Sequence, residues 1–183
     1  MKRLDLQSNL AMTVTITGFS MFFATLMMGY AIYRSSSTFW PPMGFSKVSL
    51  TIPSISTFLI LLSSWFCYQI KGNVKAHDFK KARLNLNLTL VLGFSFMVAQ
   101  SFFWSELKAS GLYVDSGIFA SILYAYTWIH AAHVLAGILS LVYLSIMLKP
   151  SDDRMLIKAV NVEKFWHFLG AVWLMMFLTL FVY

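Results

Sequence analysis

Five stretches free of Asp, Glu, Lys and Arg run from Leu6 to Tyr33, Val48 to Ile70, Leu84 to Ser105, Ser116 to Leu148 and Phe165 to Tyr183, and together they take up most of the chain. An apolar helix crosses a bilayer in about 20 residues at about 1.5 Å of rise each, so every stretch is long enough. Lipid offers the backbone no hydrogen-bond partners, which leaves helices and closed barrels as the spanning structures. Barrel strands are short and alternate in polarity, so uninterrupted apolar runs of this length point to helices. The expected fold is an all-α integral membrane bundle in a single domain over 1–183, with spans at approximately 11–33, 48–70, 84–105, 118–148 and 165–183. Only 11% of residues are charged, against about 25% in soluble domains, so no water-soluble domain is expected. The longest segment between spans, Lys149 to Lys164, is a connecting loop.

The basic residues divide unevenly about these spans. One side collects Lys2, Arg3, Lys71, Lys75, Lys80, Lys81, Arg83, Lys149, Arg154, Lys158 and Lys164, and the other has Arg34, Lys47 and Lys108. Short loops rich in Lys and Arg stay cytoplasmic, which places the N-terminus inside and, after five crossings, the C-terminus outside. The net charge of +7 is then a matter of topology rather than of a nucleic-acid partner, which would need one continuous basic face. Lys71, Lys75, Lys80, Lys81 and Arg83 form the densest basic run and are candidates for holding anionic lipid headgroups. The first span follows Lys2 and Arg3 but is longer than a signal-peptide core, so it reads as a retained helix.

Polar residues inside the spans are few and patterned. Tyr126, His130, His133, Gly137 and Ser140 recur at offsets of four, three, four and three, a single helix face that should point into protein. Leu135, Leu139, Val142 and Ile146 form the opposite, lipid-tolerant side. Ala132, Ala136 and Ser140 add small residues that admit a close neighbour. In the third span Thr89, Gly93 and Gln100 make a similar stripe ending near Trp104 and Glu106, so the two stripes face one another or a partner. An intramembrane His is a functional candidate by default. His167, however, lies close to Lys164 while His130 and His133 are mid-span. That depth difference of roughly 15 to 20 Å excludes one shared metal or haem, and His77 falls in a loop. Cys67 is the single cysteine and reads as a packed thiol. Asp115 is the expected N-cap of the fourth helix, Pro41-Pro42 closes the first loop, and Pro53 suits a first helical turn. No nucleophile–base set, phosphate-cradling loop, internal repeat or mid-span carboxylate emerges, so no catalytic centre, cofactor site or metal site is expected in this chain.

Several short motifs, in order from Gly18 onward, resemble subunit III of the haem-copper respiratory oxidases, in the five-helix form. WIHAAHVLAG, Trp128 to Gly137, resembles the family's pair of His three apart followed by Val and Gly. FWHFLGAVWLMMF, Phe165 to Phe177, resembles its last-helix motif and contains Trp166, His167 and Trp173. WPP at Trp40 to Pro42, IPSISTFLILLSS at Ile52 to Ser64, Gln100 ahead of Glu106, and DSGIFAS at Asp115 to Ser121 complete the series. The resemblance implies a multi-pass subunit of the bacterial cytoplasmic membrane without a redox centre. Haem and copper would reside in the partner catalytic subunit, oxidase subunit I. Expected roles are to stabilise that subunit, bind phospholipid and support proton uptake in aerobic electron transport.

On this reading Tyr126, His130, His133, Gly137, Gln100, Trp104, Glu106, Trp166, His167 and Trp173 pack helices or subunits together. Two departures stand out. An acid usual before the Met-Phe-Phe-Ala run is replaced by Phe19, and another usual in the last helix is replaced by Gly170. Without them, a proton-buffering role is weakened, and scaffold and lipid roles survive better. The alternatives are a stand-alone membrane binder or small transporter using Tyr126, His130 and His133, or a subunit serving nitric oxide reductase.

Overall fold

The computed structural model describes residues 2–37, 49–148 and 154–182, with side chains over 6–37, 49–148 and 154–181. Pro41-Pro42, Trp40 and Lys47 lie outside the described residues. Five α-helices follow in order: α1 (Lys2–Ser36), α2 (Thr51–Lys75), α3 (Phe79–Ala109), α4 (Ile118–Met147) and α5 (Met155–Phe177), the last running into a π-helical turn, Leu178–Val182. Each is long and apolar enough to cross a membrane, and no strand occurs among the described residues. The all-α, five-span expectation therefore holds. α1, α3 and α5 extend beyond their charge-free stretches while α4 stays within its own, and the largest extension is that of α5, which begins at Met155 and carries Lys158, Glu163 and Lys164 within its first turns.

The core of the bundle is the α2–α3 hairpin, its most extensive interface. Pro53, Ser56, Ile60, Ser63, Cys67, Ile70 and Val74 are the buried residues of α2, recurring at offsets of three and four throughout. On α3 the buried set Thr89, Gly93, Phe96, Gln100, Phe103 and Leu107 keeps the same rhythm. A repeat of 3.5 residues keeps one seam facing one partner, the pairing used by left-handed coiled coils. Pro53 stands third in α2, where its missing N–H forfeits no helical bond.

Both ends of α3 are closed by identifiable chemistry. Asp78 caps its start, Oδ1 accepting from Lys81 N at 3.1 Å. At its end Gly111 adopts φ 78°, Gly111 N donates to Lys108 O, and Leu112 N donates to Leu107 O, which is a Schellman motif with glycine in the left-handed position. Leu107 and Leu112 bury together beneath it. The end of α2 repeats the motif, with His77 N donating to Val74 O and Asp78 N to Asn73 O, but the left-handed residue is His77, at φ 56°.

One capping expectation needs correction. The residue before α4 is Gly117, at φ 134° and ψ 174°, and no side chain caps this end. Asp115 sits too far back because the loop spends two further residues turning. Ser116 holds that turn instead, accepting from Tyr113 N at 2.9 Å and donating to Gly111 O at 3.3 Å.

α5 packs across α2 and α4, and α1 lies outermost with its main helix contact on α5. The side of α1 turned inward is one stripe, Met12, Phe19, Phe23, Leu26, Met27 and Tyr30. Its outward hydroxyls are self-contained: Thr13, Thr15, Thr17, Ser20 and Thr25 each donate to the carbonyl four residues earlier.

Candidate functional site

Side-chain hydrogen bonds join α2 to α3 and to α5, and α3 to α4, with α2 supplying most of the acceptors. Gln100 Nε2 donates to Ser56 Oγ at 3.0 Å, Trp173 Nε1 to Thr57 Oγ1 at 3.0 Å, and Trp166 Nε1 to Ser63 Oγ at 3.1 Å. Ser63 passes its own proton to Thr89 O at 3.2 Å, linking α5 to α3 through α2. Trp104 Nε1 joins α3 to α4 by donating to Thr127 Oγ1 at 3.1 Å. Indole N–H groups need a partner when buried, and each of these three finds a hydroxyl on a neighbouring helix. Ser56, Thr57 and Ser63 were legible only as part of a resembling motif. Their three-and-four spacing with Ile60, Cys67 and Ile70 is the signal that marks the face.

Of the α3 stripe, Thr89 and Gln100 turn to α2, whereas Gly93 converges with Gly137 of α4 on Trp166 of α5. Its ring is fully buried and seated on two glycines. A Cβ at Gly93 would fall 2.8 Å from Trp166 Cη2, and one at Gly137 would fall 2.6 Å from Leu169 Cδ1 and 3.1 Å from Trp166 Cε3 and Cζ3. Neither glycine has a positive φ, so the requirement is for space rather than for backbone freedom.

His130, Tyr126 and Gly137 are buried on α4 and His133 is partly buried, while Leu135, Leu139 and Ile146 are exposed. His130 is sealed among Phe23, Phe96 and Trp173, whose ring centroids stand 6.3, 6.0 and 5.5 Å away, and neither of its nitrogens has a hydrogen-bond partner. His133 differs: Nδ1 is 2.7 Å from Ile129 O, and the ring meets the edge of Phe19 at 4.6 Å. Ala132 and Ala136 are exposed and Ser140 partly buried, so among the described residues no helix packs closely on the two alanines of that stripe.

Glu163 was absent from the expected sites. Its side chain is only 8% exposed, and Oε1 lies 3.0 Å from Lys71 Nζ and 3.9 Å from His167 Nε2. The other oxygen, Oε2, is buried without a partner. Lys71 is thus committed to an ion pair within the bundle. Of the remaining basic run, Lys81 Nζ pairs with Asp78 Oδ2 at 3.0 Å and Arg83 Nη2 donates to Leu148 O at 3.3 Å, closing the C-terminal end of α4. Lys75 and Lys80 are exposed with no partner among the described residues. Glu106 lies at the opposite end of the bundle, lining an open apolar groove of about 760 Å³ with Ile52, Ile55 and Phe102.

Among the described residues no three His, Cys, Asp or Glu side chains converge as a metal site. The arrangement holds helices in register.

Comparison with known proteins covers nearly the whole chain. The family described as cytochrome c oxidase subunit III matches residues 5–183. Cytochrome c oxidase subunit 3 of Corynebacterium diphtheriae is 31% identical over 166 residues, covering 88% of this chain and 80% of the relative. The subunit 3 of Thermostichus vulcanus is 26% identical over 94% of this chain and 86% of its own length. That of Synechocystis is 24% identical over 89% and 70%. The chain is a multi-pass membrane protein and belongs to the cytochrome c oxidase subunit III family.

Proposed function

We propose that the chain is the scaffold of an oxidase complex in a bacterial cytoplasmic membrane, with its N-terminus inside and its C-terminus outside. The family match over residues 5–183 carries this reading. The chain is a non-catalytic subunit III, and its partner is oxidase subunit I, which holds the haem and copper. The polar residues support the assignment, because the indoles of Trp104, Trp166 and Trp173 are all spent on neighbouring helices. Tyr126, His130, Gly137 and Gln100 act as packing residues within the bundle. Lys75 and Lys80, free of ion pairs, are the side chains of the basic run best suited to phospholipid headgroups. Support of proton uptake is the part of the role least tied to any one residue, since Phe19 and Gly170 stand where the family resemblance leads acids to be expected.

Purification of the native complex, with haem spectra recorded on it, tests the proposal. A haem-copper oxidase should co-purify in fixed ratio, and a complex without one overturns the reading. Replacing His130 and His133 by Phe should lower the yield of assembled complex and leave the haem absorption per complex unchanged. Altered absorption at constant stoichiometry would contradict the non-ligand role.

A further inference from the structure

The two histidines of α4 differ in what they leave unsatisfied. Ile129 O can only accept, so at 2.7 Å His133 Nδ1 must carry the proton. In the neutral ring this makes Nε2 an acceptor, and it has no hydrogen-bond partner among the described residues. Unlike both nitrogens of His130, it is not sealed off. His133 forms the floor of an open groove between α1 and α4, of about 500 Å³, with Val14, Thr15, Gly18, Phe19 and Phe22 as its walls. The size is that of a small-ligand site.

The polar content of this groove runs one way. Thr15 has already given its proton to Ala11 O at 2.9 Å. Nothing in the wall can donate, so an ether, ester or ketone oxygen would go unmatched, whereas a hydroxyl can donate to Nε2. Depth narrows the choice further. His133 lies midway along α4 (Ile118–Met147), and the centre of a hydrocarbon core about 30 Å thick is roughly 15 Å from either headgroup layer. A phospholipid headgroup cannot descend that far without burying its charge.

We infer that the α1–α4 groove binds an apolar molecule whose only polar group is a hydroxyl, the hydroxyl donating to His133 Nε2 and the body lying between Phe19, Phe22 and Gly18. A phenolic ring and a long-chain alcohol share this chemistry. The groove is empty beside Gly18, where a Cβ would meet nothing within 4 Å.

The test is photolabelling of the intact complex in native-lipid nanodiscs, using a diazirine-bearing 4-alkylphenol, its methyl ether and a matched long-chain alkanol. Labelling is read by mass spectrometry on the Val14–Phe22 peptide. The phenol should label this peptide about fivefold more than its ether, the discrimination expected of one hydrogen bond in lipid. Competition by unlabelled alkanol or alkylphenol identifies which source of the hydroxyl is preferred. His133→Phe should make phenol and ether equal. Gly18→Leu, which fills the groove from the α1 side and leaves the His133 side chain in place, should abolish labelling by both while the complex still assembles. Equal labelling of the unaltered protein by phenol and ether would overturn the inference, as would no labelling with His133 crosslinked to another protein chain.

Discussion

Gly93→Ala tests whether Trp166 is the wedge that sets the spacing of α3, α4 and α5. The added Cβ would stand 2.8 Å from Cη2 and 3.2 Å from Cζ2 of a fully buried indole. The ring cannot swing away cheaply, because Nε1 is anchored 3.1 Å from Ser63 Oγ and Ser63 is itself bonded to Thr89 O. Overpacking of this kind costs about 1–3 kcal/mol, and alanine returns up to about 1 kcal/mol through helix propensity. A net loss of about 1–2 kcal/mol corresponds to roughly 3–6 °C in Tm for a chain of this size.

Gly137→Ala should cost less despite its shorter approach. Its nearest neighbour is Leu169 Cδ1, the free end of a flexible side chain. Thermal unfolding of the purified protein in detergent, read by size-exclusion peak loss, gives the order. The decisive measurement is the double-mutant cycle with Trp166→Phe. Phe lacks the Cη2 end of the indole, so Gly93→Ala should be nearly neutral in that background, with a coupling of about 1 kcal/mol or more. Additive effects would refute the wedge.

Three further outcomes follow from features of the loops and the buried ion pair. His77→Gly should raise stability by about 0.5–1 kcal/mol, seen as a higher Tm, because His77 holds a left-handed backbone at φ 56° that glycine adopts without strain. Lys71→Met should destabilise by about 1–3 kcal/mol, and by more than Glu163→Gln, since it strands a carboxylate 8% exposed while the reverse change frees a lysine that is 40% exposed; the opposite order in thermal unfolding would contradict the burial argument. The N–H and ammonium of Lys81 hold the Asp78 carboxyl below the usual carboxylate range. Its cap is therefore fully present above the ordinary carboxylate pKa and is lost as pH falls through the lowered one, so hydrogen exchange in the first turn of α3 should quicken only in that acid window.

What could be read from the chain alone follows from which interactions are local. Charge-free length finds spans because a bilayer imposes the same thickness on every helix, and the α4 face was legible because Tyr126, His130 and Gly137 share one helical register. The Lys71–Glu163 pair joins residues 92 apart in sequence, and a rule that ended the fifth span at its nearest charges placed Glu163 in a loop. Gly93, Gly137 and Trp166 each drew notice, but their convergence depends on how α5 crosses the other two helices, which no single-helix periodicity contains. Asp115 misled because acid–Ser–Gly before an apolar run has the composition of a cap, and the turn that separates it from α4 is held by Ser116.

The position of α1 bears on how such a chain is made. Its partners all come later in the sequence: the rings of Phe19 and Phe23 meet His133 of α4 at 4.6 and 5.3 Å, and on α5 Asn161 Nδ2 donates to Ser8 Oγ at 2.9 Å while the ring of Phe165 stands 6.3 Å from that of Phe19. During synthesis α1 enters the bilayer long before α5 exists, and it can wait there because its threonine and serine hydroxyls are already satisfied by its own backbone. The α2–α3 hairpin, local and seam-matched, is free to form in the interval. Closure of α1 onto the bundle is then a late step of assembly, waiting for α4 to supply His130 and His133 and completed by α5 with Asn161 and Phe165, rather than set by the insertion of α1 itself.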